Sequence, residues 1–181
     1  MVAVIRTVLA IVALAASALA LAQAPLERAV KAAYVYKFLA YVDWPATAFD
    51  APDASFVIGV LGSDVIADEI RQVVAGRSVG ERPVQVKRLR EGESVSGLHV
   101  LFVGRGEMAR LPALARALHG QPTLVVSEAP GALGAGSTIN LVVASDGRVR
   151  FEIALDAADR SGLRLSSRLL ALAQSVRPGG P

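Results

Sequence analysis

Three short, largely apolar runs limit the folds that this chain can adopt. The runs are Phe56–Leu61, Leu98–Val103 and Thr123–Val126. A continuous apolar run of this length is typical of a strand that is covered on both faces of its sheet. Helical patterns lie between the runs, and strands that alternate with helices favour a mainly parallel sheet with right-handed crossovers. The sequence therefore predicts an α/β fold.

Five helices are predicted around this sheet. The first, Leu26–Val42, carries one apolar stripe, and Pro45 prevents the helix from continuing. The stripe consists of Val30, Tyr34, Phe38 and Tyr41. The other helices are expected from Ser63 or Asp64 to Val74 with a stop at Gly76, at about residues 107–119, from an Asp156 cap to Gly162, and from Ser166 or Ser167 to about Val176.

A β-hairpin is predicted near the end of the chain, where Thr138–Val143 and Val149–Ile153 flank a Ser-Asp-Gly turn. A two-residue loop would mix apolar and charged side chains on each face. A three-residue loop with Gly147 in the left-handed conformation gives one apolar face, so we expect that register. It pairs Val143 with Val149, Leu141 with Phe151 and Ile139 with Ile153.

Further extended segments are expected at Pro83–Leu89 and Leu163–Leu165. The complete prediction is a mainly parallel, Rossmann-like three-layer α/β sheet. It has helices on both faces and a C-terminal antiparallel hairpin.

Residues 1–22 are typical of a Sec signal peptide. Arg6 is their single charge, Val8–Leu21 is apolar or small, and Ala20 and Ala22 fit a small-residue cleavage site. We expect cleavage after Ala22, because Pro25 disfavours a cut after Ala24. An uncleaved membrane anchor is the alternative, although the run is shorter than the roughly 20 residues of a comfortable span. The expected product is an exported, soluble, single domain of residues 23–181.

Composition argues against most catalytic chemistry. The chain has no cysteine, which excludes disulfides, thiolate metal sites and cysteine nucleophiles. Of its two histidines, His99 lies in an apolar run and His119 at a predicted helix end, so we expect no metal centre, no cofactor and no catalytic residue. A net charge of +3 is too small to favour nucleic acid as a partner.

The end of the first helix concentrates the aromatic residues. All three tyrosines, the only tryptophan and one phenylalanine lie within residues 34–44. Most of them fit core packing on the apolar stripe. Tyr36 and Lys37 lie off the stripe and are candidates for contact with a partner. Trp44 either supports the turn beneath the helix or contributes to a pocket for a small aromatic ligand.

Three separated segments carry a resemblance to a known family. The segments Lys31–Pro45, Ile139–Ile153 and Gly162–Leu170 closely resemble the YfiR family, in the order in which that family has them. Shorter segments fall where the family has its strands and loop, namely Val57–Gly62, Ala75–Arg77, His99–Val103 and Leu124–Ser127. The resemblance covers essentially the whole of residues 23–181.

The resemblance implies a small periplasmic regulator and not an enzyme. Members resemble repressors that bind the periplasmic part of an inner-membrane diguanylate cyclase of the YfiN type, which keeps cyclic di-GMP low and restrains biofilm formation. It also implies a homodimer.

Similar domains occur fused to membrane histidine kinases, and we expect the free-standing repressor here because no kinase motif follows. Relatives carry disulfides that have been linked to regulation, and a chain without cysteine must be regulated in another way.

Exposed positions in the matching segments are the candidates for contact with the cyclase. They are Tyr36, Lys37, Arg150, Glu152, Arg164 and Arg168, with Trp44 as the ligand-pocket candidate. Two other functions stay open. One is a periplasmic small-ligand sensor or carrier that acts on another membrane partner, such as a histidine kinase. The other is an uncharacterised hydrolase, which would require an activity that depends on His99.

Overall fold

The computed structural model describes residues 24–178. The predicted signal peptide, residues 1–22, and its cleavage after Ala22 lie outside the described residues. No helix in residues 24–178 has both the length and the apolar character needed to cross a membrane.

The described residues form five α-helices and ten strands. The helices are α1 (residues 24–41), α2 (Asp64–Val74), α3 (Leu111–Ala117), α4 (Leu155–Arg160) and α5 (Ser167–Leu172). Short 3-10 helices span Ala46–Ala48, Arg105–Arg110 and Ala132–Ala135. The strands are β1 (Val42–Asp43), β2 (Phe56–Leu61), β3 (Ser78–Val79), β4 (Arg82–Leu89), β5 (Val100–Val103), β6 (Leu124–Ser127), β7 (Ile139–Val143), β8 (Val149–Ala154), β9 (Arg164–Leu165) and β10 (Ser175–Arg177).

Eight strands make one sheet in the order β10-β8-β7-β6-β5-β2-β4-β3. The pairs β4–β2, β2–β5, β5–β6 and β6–β7 are parallel, whereas β8 runs antiparallel to β7 and β3 runs antiparallel to β4. The mainly parallel α/β fold predicted from the sequence is therefore confirmed. The central strands β5 and β6 are buried along their whole length, as their apolar sequences require.

Helices cover both faces of the sheet. On one face, α1, α2 and α5 pack against a continuous core that includes Phe38, Ile70, Phe102 and Phe151. On the other face, α3 and the neighbouring 3-10 turns cover a smaller core around Leu101, and the three-layer arrangement is confirmed.

Helix α2 begins as predicted, because Ser63 Oγ accepts a hydrogen bond from the Ile66 N–H (3.4 Å). Helix α5 begins in the same way, with Ser166 Oγ accepting from the Leu169 N–H (3.3 Å). Helix α4 differs from the prediction. Asp156 does not cap it but lies in its first turn, where it pairs with Arg160.

The hairpin has the predicted register. Ile139 lies opposite Ile153, Leu141 opposite Phe151 and Val143 opposite Val149. Gly147 has a φ of 75°, the left-handed conformation that a three-residue loop requires. The three-residue loop predicted from the alternation of apolar residues is therefore confirmed.

Three short elements differ from the prediction. The helical segment at about 107–119 is a 3-10 helix followed by the shorter α3. The last helix ends at Leu172 and not near Val176, and Ser175–Arg177 forms strand β10, parallel to β8. After α1, the pair Val42–Asp43 leaves the helix and forms a small antiparallel sheet with β9.

Candidate partner-binding surfaces and the histidine cavity

The aromatic stripe of α1 lies mainly in the core. Tyr34 and Phe38 stack with their ring centroids 5.9 Å apart, and both pack edge-on against Phe151 of β8, at 5.4 Å and 5.2 Å. Phe38 and Phe151 are fully buried. These rings fix α1 on the sheet, so the exposed side of α1 is held rigidly in place.

Tyr36 lies on another side of α1 and is half-buried. Its hydroxyl donates a hydrogen bond to the Ser78 carbonyl (3.0 Å), and the guanidinium of Arg77 lies 5.8 Å from its ring centroid. These contacts join α1 to the segment that follows α2. A partner could reach only part of this side chain.

Lys37, Arg164 and Arg168 are exposed around the end of α1. The Ser166 N–H donates to the Tyr41 carbonyl (2.9 Å), which holds the start of α5 beside the last turn of α1. Lys37 lies one turn before Tyr41 and on the same side of the helix. We call the group Lys37, Arg164 and Arg168 the α1–α5 surface.

The α1–α5 surface is positively charged. Within residues 24–178, none of its three cations forms an ion pair. Asp43 is the acid nearest in register, since it lies opposite Arg164 in the small sheet. The surface can therefore attract an acidic group from another molecule.

Arg150 and Glu152 lie on a different surface. Their neighbours Phe151 and Ile153 face the core beneath α1, so alternation along β8 directs Arg150 and Glu152 to the opposite face of the sheet. Arg150 pairs with Asp146 (2.8 Å), and Glu152 accepts a hydrogen bond from Ser175 (3.4 Å). The six candidate residues thus do not form one continuous patch.

Trp44 packs within the protein. Its Nε1 donates a hydrogen bond to the Leu39 carbonyl (2.9 Å), and its ring lies edge-on to Phe56 (5.7 Å) and His99 (5.5 Å). These contacts hold the segment that follows α1 against the start of β2. The indole also touches a histidine that lines a cavity.

That cavity, of about 390 Å³, lies at the amino-terminal ends of the central strands. Phe49 and His99 line it together with polar and apolar residues, and Trp44 is not one of the lining residues. The Phe49 ring lies 4.7 Å from that of His99, and the Arg82 guanidinium covers Phe49 at 3.7 Å. The space is large enough for a small molecule.

His99 is a buried histidine with a structural role. Its Nδ1 accepts a hydrogen bond from the Val57 N–H (3.1 Å), so the neutral ring carries its proton on Nε2. Burial lowers the pKa of His99, and the nearby Ala48 carbonyl opposes this shift. Nε2 has no hydrogen-bond partner in residues 24–178. This arrangement agrees with the core histidine expected from the sequence.

A buried cation on α1 was missed by the sequence reasoning. Lys31 is 3% exposed and pairs with Glu27 one turn earlier and with Glu128 after β6. The sequence did contain a signal for the burial of Lys31. Lys31 lies four residues before the apolar Val35, which is buried on the same helix face. No group of three or more histidines and acids in residues 24–178 is arranged to hold a metal ion.

Comparison with known proteins identifies the family. No curated protein matches the sequence. A family model described as YfiR/HmsC-like matches residues 28–174, which include most of α1, strands β1 to β9 and the α1–α5 surface. This chain belongs to the YfiR/HmsC-like family.

Proposed function

We propose that this protein is a periplasmic regulator that binds the periplasmic part of an inner-membrane diguanylate cyclase and represses it. The observation that carries the proposal is the YfiR/HmsC-like match over residues 28–174. The signal-peptide pattern of residues 1–22, with cleavage after Ala22, supports export. In this proposal the protein catalyses no reaction. It lowers cyclic di-GMP by acting on the enzyme that makes it, and so restrains biofilm formation.

Repression is proposed to be a shift between two conformations of the cyclase. A bound regulator favours the inactive conformation only to the extent that it binds that conformation more tightly than the active one. The regulator needs a rigid contact surface for this, because ordering a flexible surface would oppose binding. The packing of Tyr34 and Phe38 on Phe151 supplies such rigidity to α1.

The α1–α5 surface is the proposed contact with the cyclase. Three observations support it: its cations are exposed, they lack ion pairs within residues 24–178, and they lie on elements fixed to the core. Tyr36 is proposed to border the contact, since part of its ring is accessible while its hydroxyl bonds Ser78. The complementary surface of the cyclase would be acidic.

Arg150 and Glu152 are proposed to belong to a second contact, between two copies of this chain in a homodimer. They lie on the opposite sheet face from α1, so one flat receptor surface would not reach both groups. Half-buried Val142 lies beside Arg150 in the hairpin and adds apolar area. Light scattering of the purified protein tests this, and Arg150→Glu is expected to shift a dimer towards monomer.

Repression is tested by deleting the gene and measuring cyclic di-GMP. We expect the level to rise, and we expect the wild-type protein to restore it. A variant with Lys37→Glu, Arg164→Glu and Arg168→Glu should be exported and folded but should fail to restore the level. Arg90→Glu reverses the charge of one exposed arginine outside the α1–α5 surface; it is the single-site control and should restore the level.

The outcomes test the repressor function and the α1–α5 surface separately. An unchanged cyclic di-GMP level after deletion would contradict the repressor function. A raised level that the triple variant restores as well as Arg90→Glu would keep the function but exclude the α1–α5 surface as the contact.

A second candidate function is sensing a small aromatic ligand on behalf of another membrane partner, such as a histidine kinase. The observation that favours it is the cavity lined by Phe49 and His99. Trp44 contacts His99 and is the only tryptophan, so its fluorescence should respond to occupancy. Titration with benzoate and with nicotinamide tests this. Saturable quenching that Phe49→Ala abolishes would support the sensor, and no change with either compound would count against it.

A further inference from the structure

A second cavity, of about 560 Å³, lies between α3, α4 and the 3-10 turn Ala132–Ala135. Leu133 and Ala154 line its floor and belong to a small buried cluster with Ala157. The floor is therefore apolar and fixed to the body of the protein. The volume suits a small organic molecule.

The rim of this cavity is basic. Arg116 and His119 come from α3 and the residues after it, Arg160 comes from α4, and Arg177 comes from β10. Asp156 is the one acidic residue among the described residues that line the cavity, and Arg160 already neutralises it across 2.7 Å.

Two guanidinium groups at the rim have no partner among the residues that the structure describes. Within residues 24–178, the side chains of Arg116 and Arg177 form no ion pair and no hydrogen bond, in contrast to Arg71, Arg88 and Arg110, which all pair with acids. A guanidinium group presents two parallel N–H donors that match a carboxylate or a phosphate. These two arginines are thus available to an anion that enters the cavity.

Glycines form part of the cavity wall. Gly134 has open space around its Cα, so that backbone approaches the cavity without a side chain in between. Gly136 has a φ of 106°, and a Cβ there would lie 2.5 Å from the Cβ of Ala115 on α3. At Gly136 the wall is therefore packed tightly against α3.

We propose that this cavity binds a small organic anion. Arg116 and Arg177 would hold a carboxylate or phosphate group, His119 would donate a further hydrogen bond, and the hydrocarbon part would lie on Leu133. Both anionic groups share the charge and the acceptor geometry that the arginines require. The proposal is independent of the cyclase contact, because none of its residues belongs to the α1–α5 surface.

The test is calorimetric titration of the purified protein with citrate, with glycerol 3-phosphate and with uncharged glycerol. We expect saturable binding of at least one anion and none of glycerol. Arg116→Gln and Arg177→Gln should each weaken binding about tenfold or more, since each removes a charge-assisted contact. Arg148→Gln, an exposed arginine on the hairpin turn, has the same loss of charge and should bind as the wild type does.

Each outcome decides the proposal. Citrate alone identifies a carboxylate ligand, glycerol 3-phosphate alone identifies a phosphate ligand, and both identify a general anion site. The absence of saturable binding to either anion would overturn the proposal. Equal weakening in Arg148→Gln would also overturn it, because the effect would then reflect net charge and not this cavity. Circular dichroism of each variant checks that the exposed substitutions leave the fold intact.

Discussion

Lys31 of α1 is buried against the carboxyl end of β6, where its ammonium group pairs with the carboxylate of Glu128. The side chain of Glu128 is itself only 12% exposed. Taking two charges out of water is costly, and the ion pair offsets that cost only while both partners are present. This pair therefore stabilises the contact between the amino-terminal half of α1 and the sheet only while both side chains are present. The apolar packing of Phe38, farther along the helix, has no such requirement.

We predict that Lys31→Met destabilises the protein by about 3 kcal/mol, because it leaves the Glu128 carboxylate buried without a counter-charge. Urea denaturation measures the free energy of unfolding. Arg71→Met is the control, since it breaks the exposed pair with Asp68 and should cost much less than Lys31→Met does. The double variant Lys31→Met with Glu128→Gln should lose less than the sum of the single losses. Equal losses of unfolding free energy in Lys31→Met and Arg71→Met would show that the buried pair contributes no more to stability than the exposed pair does.

Stability should fall in mild acid because of His99. Burial lowers its folded-state pKa below the ordinary value of 6.5, so the unfolded chain binds the proton more readily than the folded one. The contribution of neutral His99 is complete above pH 6.5 and is lost progressively as the pH falls from there towards the folded-state pKa. Protonation also removes the Nδ1 acceptor of the Val57 N–H. Asp50 and Arg82 are the charged groups that face this ring, with opposite effects on its pKa.

Urea unfolding at pH 7 and at pH 5 measures this effect. His99→Asn keeps an acceptor near the position of Nδ1 but does not titrate, so its stability should change less between the two pH values. Asp68 and Asp146 have pKa values lowered by hydrogen bonds from Arg88 and from the Arg148 backbone, respectively, and their contributions are lost only below about pH 3.8. An equal loss in wild type and His99→Asn between pH 7 and 5 would refute the assignment to His99.

The hairpin turn gives a third prediction. Gly147→Ala should lower the free energy of unfolding by about 1–2 kcal/mol, because alanine is strained at a φ of 75°. Thermal or urea unfolding measures the loss. Gly106→Ala is the matched control, since Gly106 has an ordinary φ and open space around it, and it should be neutral or slightly stabilising. A neutral Gly147→Ala would mean that the loop adopts another turn in solution.

The hydroxyl of Tyr36 either stabilises the fold or contacts a partner, and a substitution distinguishes these two roles. Tyr36→Phe keeps the ring but removes the hydrogen bond to the Ser78 carbonyl, and should cost about 0.5–1 kcal/mol. Tyr41→Phe is the control, because the Tyr41 hydroxyl has no hydrogen-bond partner in residues 24–178 and its loss should leave stability unchanged. Equal stability of both variants with the wild type would show that the hydroxyl of Tyr36 is free for a partner.

The sequence was most informative where apolar residues repeat. The hairpin register followed from alternation, because only one loop length gives a single apolar face. The central strands followed from their continuous apolar runs. Strand β10 could not be predicted, because its three residues are all exposed and carry no such pattern. Its pairing depends on α5 ending early at Leu172 and returning the chain to the side of β8.

The candidate surfaces were less predictable than the fold. The sequence showed that Lys37 and Arg150 are polar residues. It did not show that they lie on opposite sides of the sheet. The α1–α5 surface exists because the Ser166 N–H bonds the Tyr41 carbonyl, a contact between segments 125 residues apart along the chain. Pairing of this kind has no local signature, so the sequence alone could not group Lys37 with Arg168.

The two outermost strands of the large sheet have only two and three residues, β3 at one end and β10 at the other. Unpaired backbone at a sheet margin is a template onto which another extended chain can stack, and its capacity grows with length. Beyond the two residues of β3, the outer edge of β4 from Val84 to Leu89 pairs with no other strand in the described residues. That edge carries the exposed Lys87 and Arg88, and β10 carries Arg177, and these charges oppose such stacking. Concentrated solutions of the protein should accordingly remain free of fibrils, and thioflavin fluorescence would stay at its baseline.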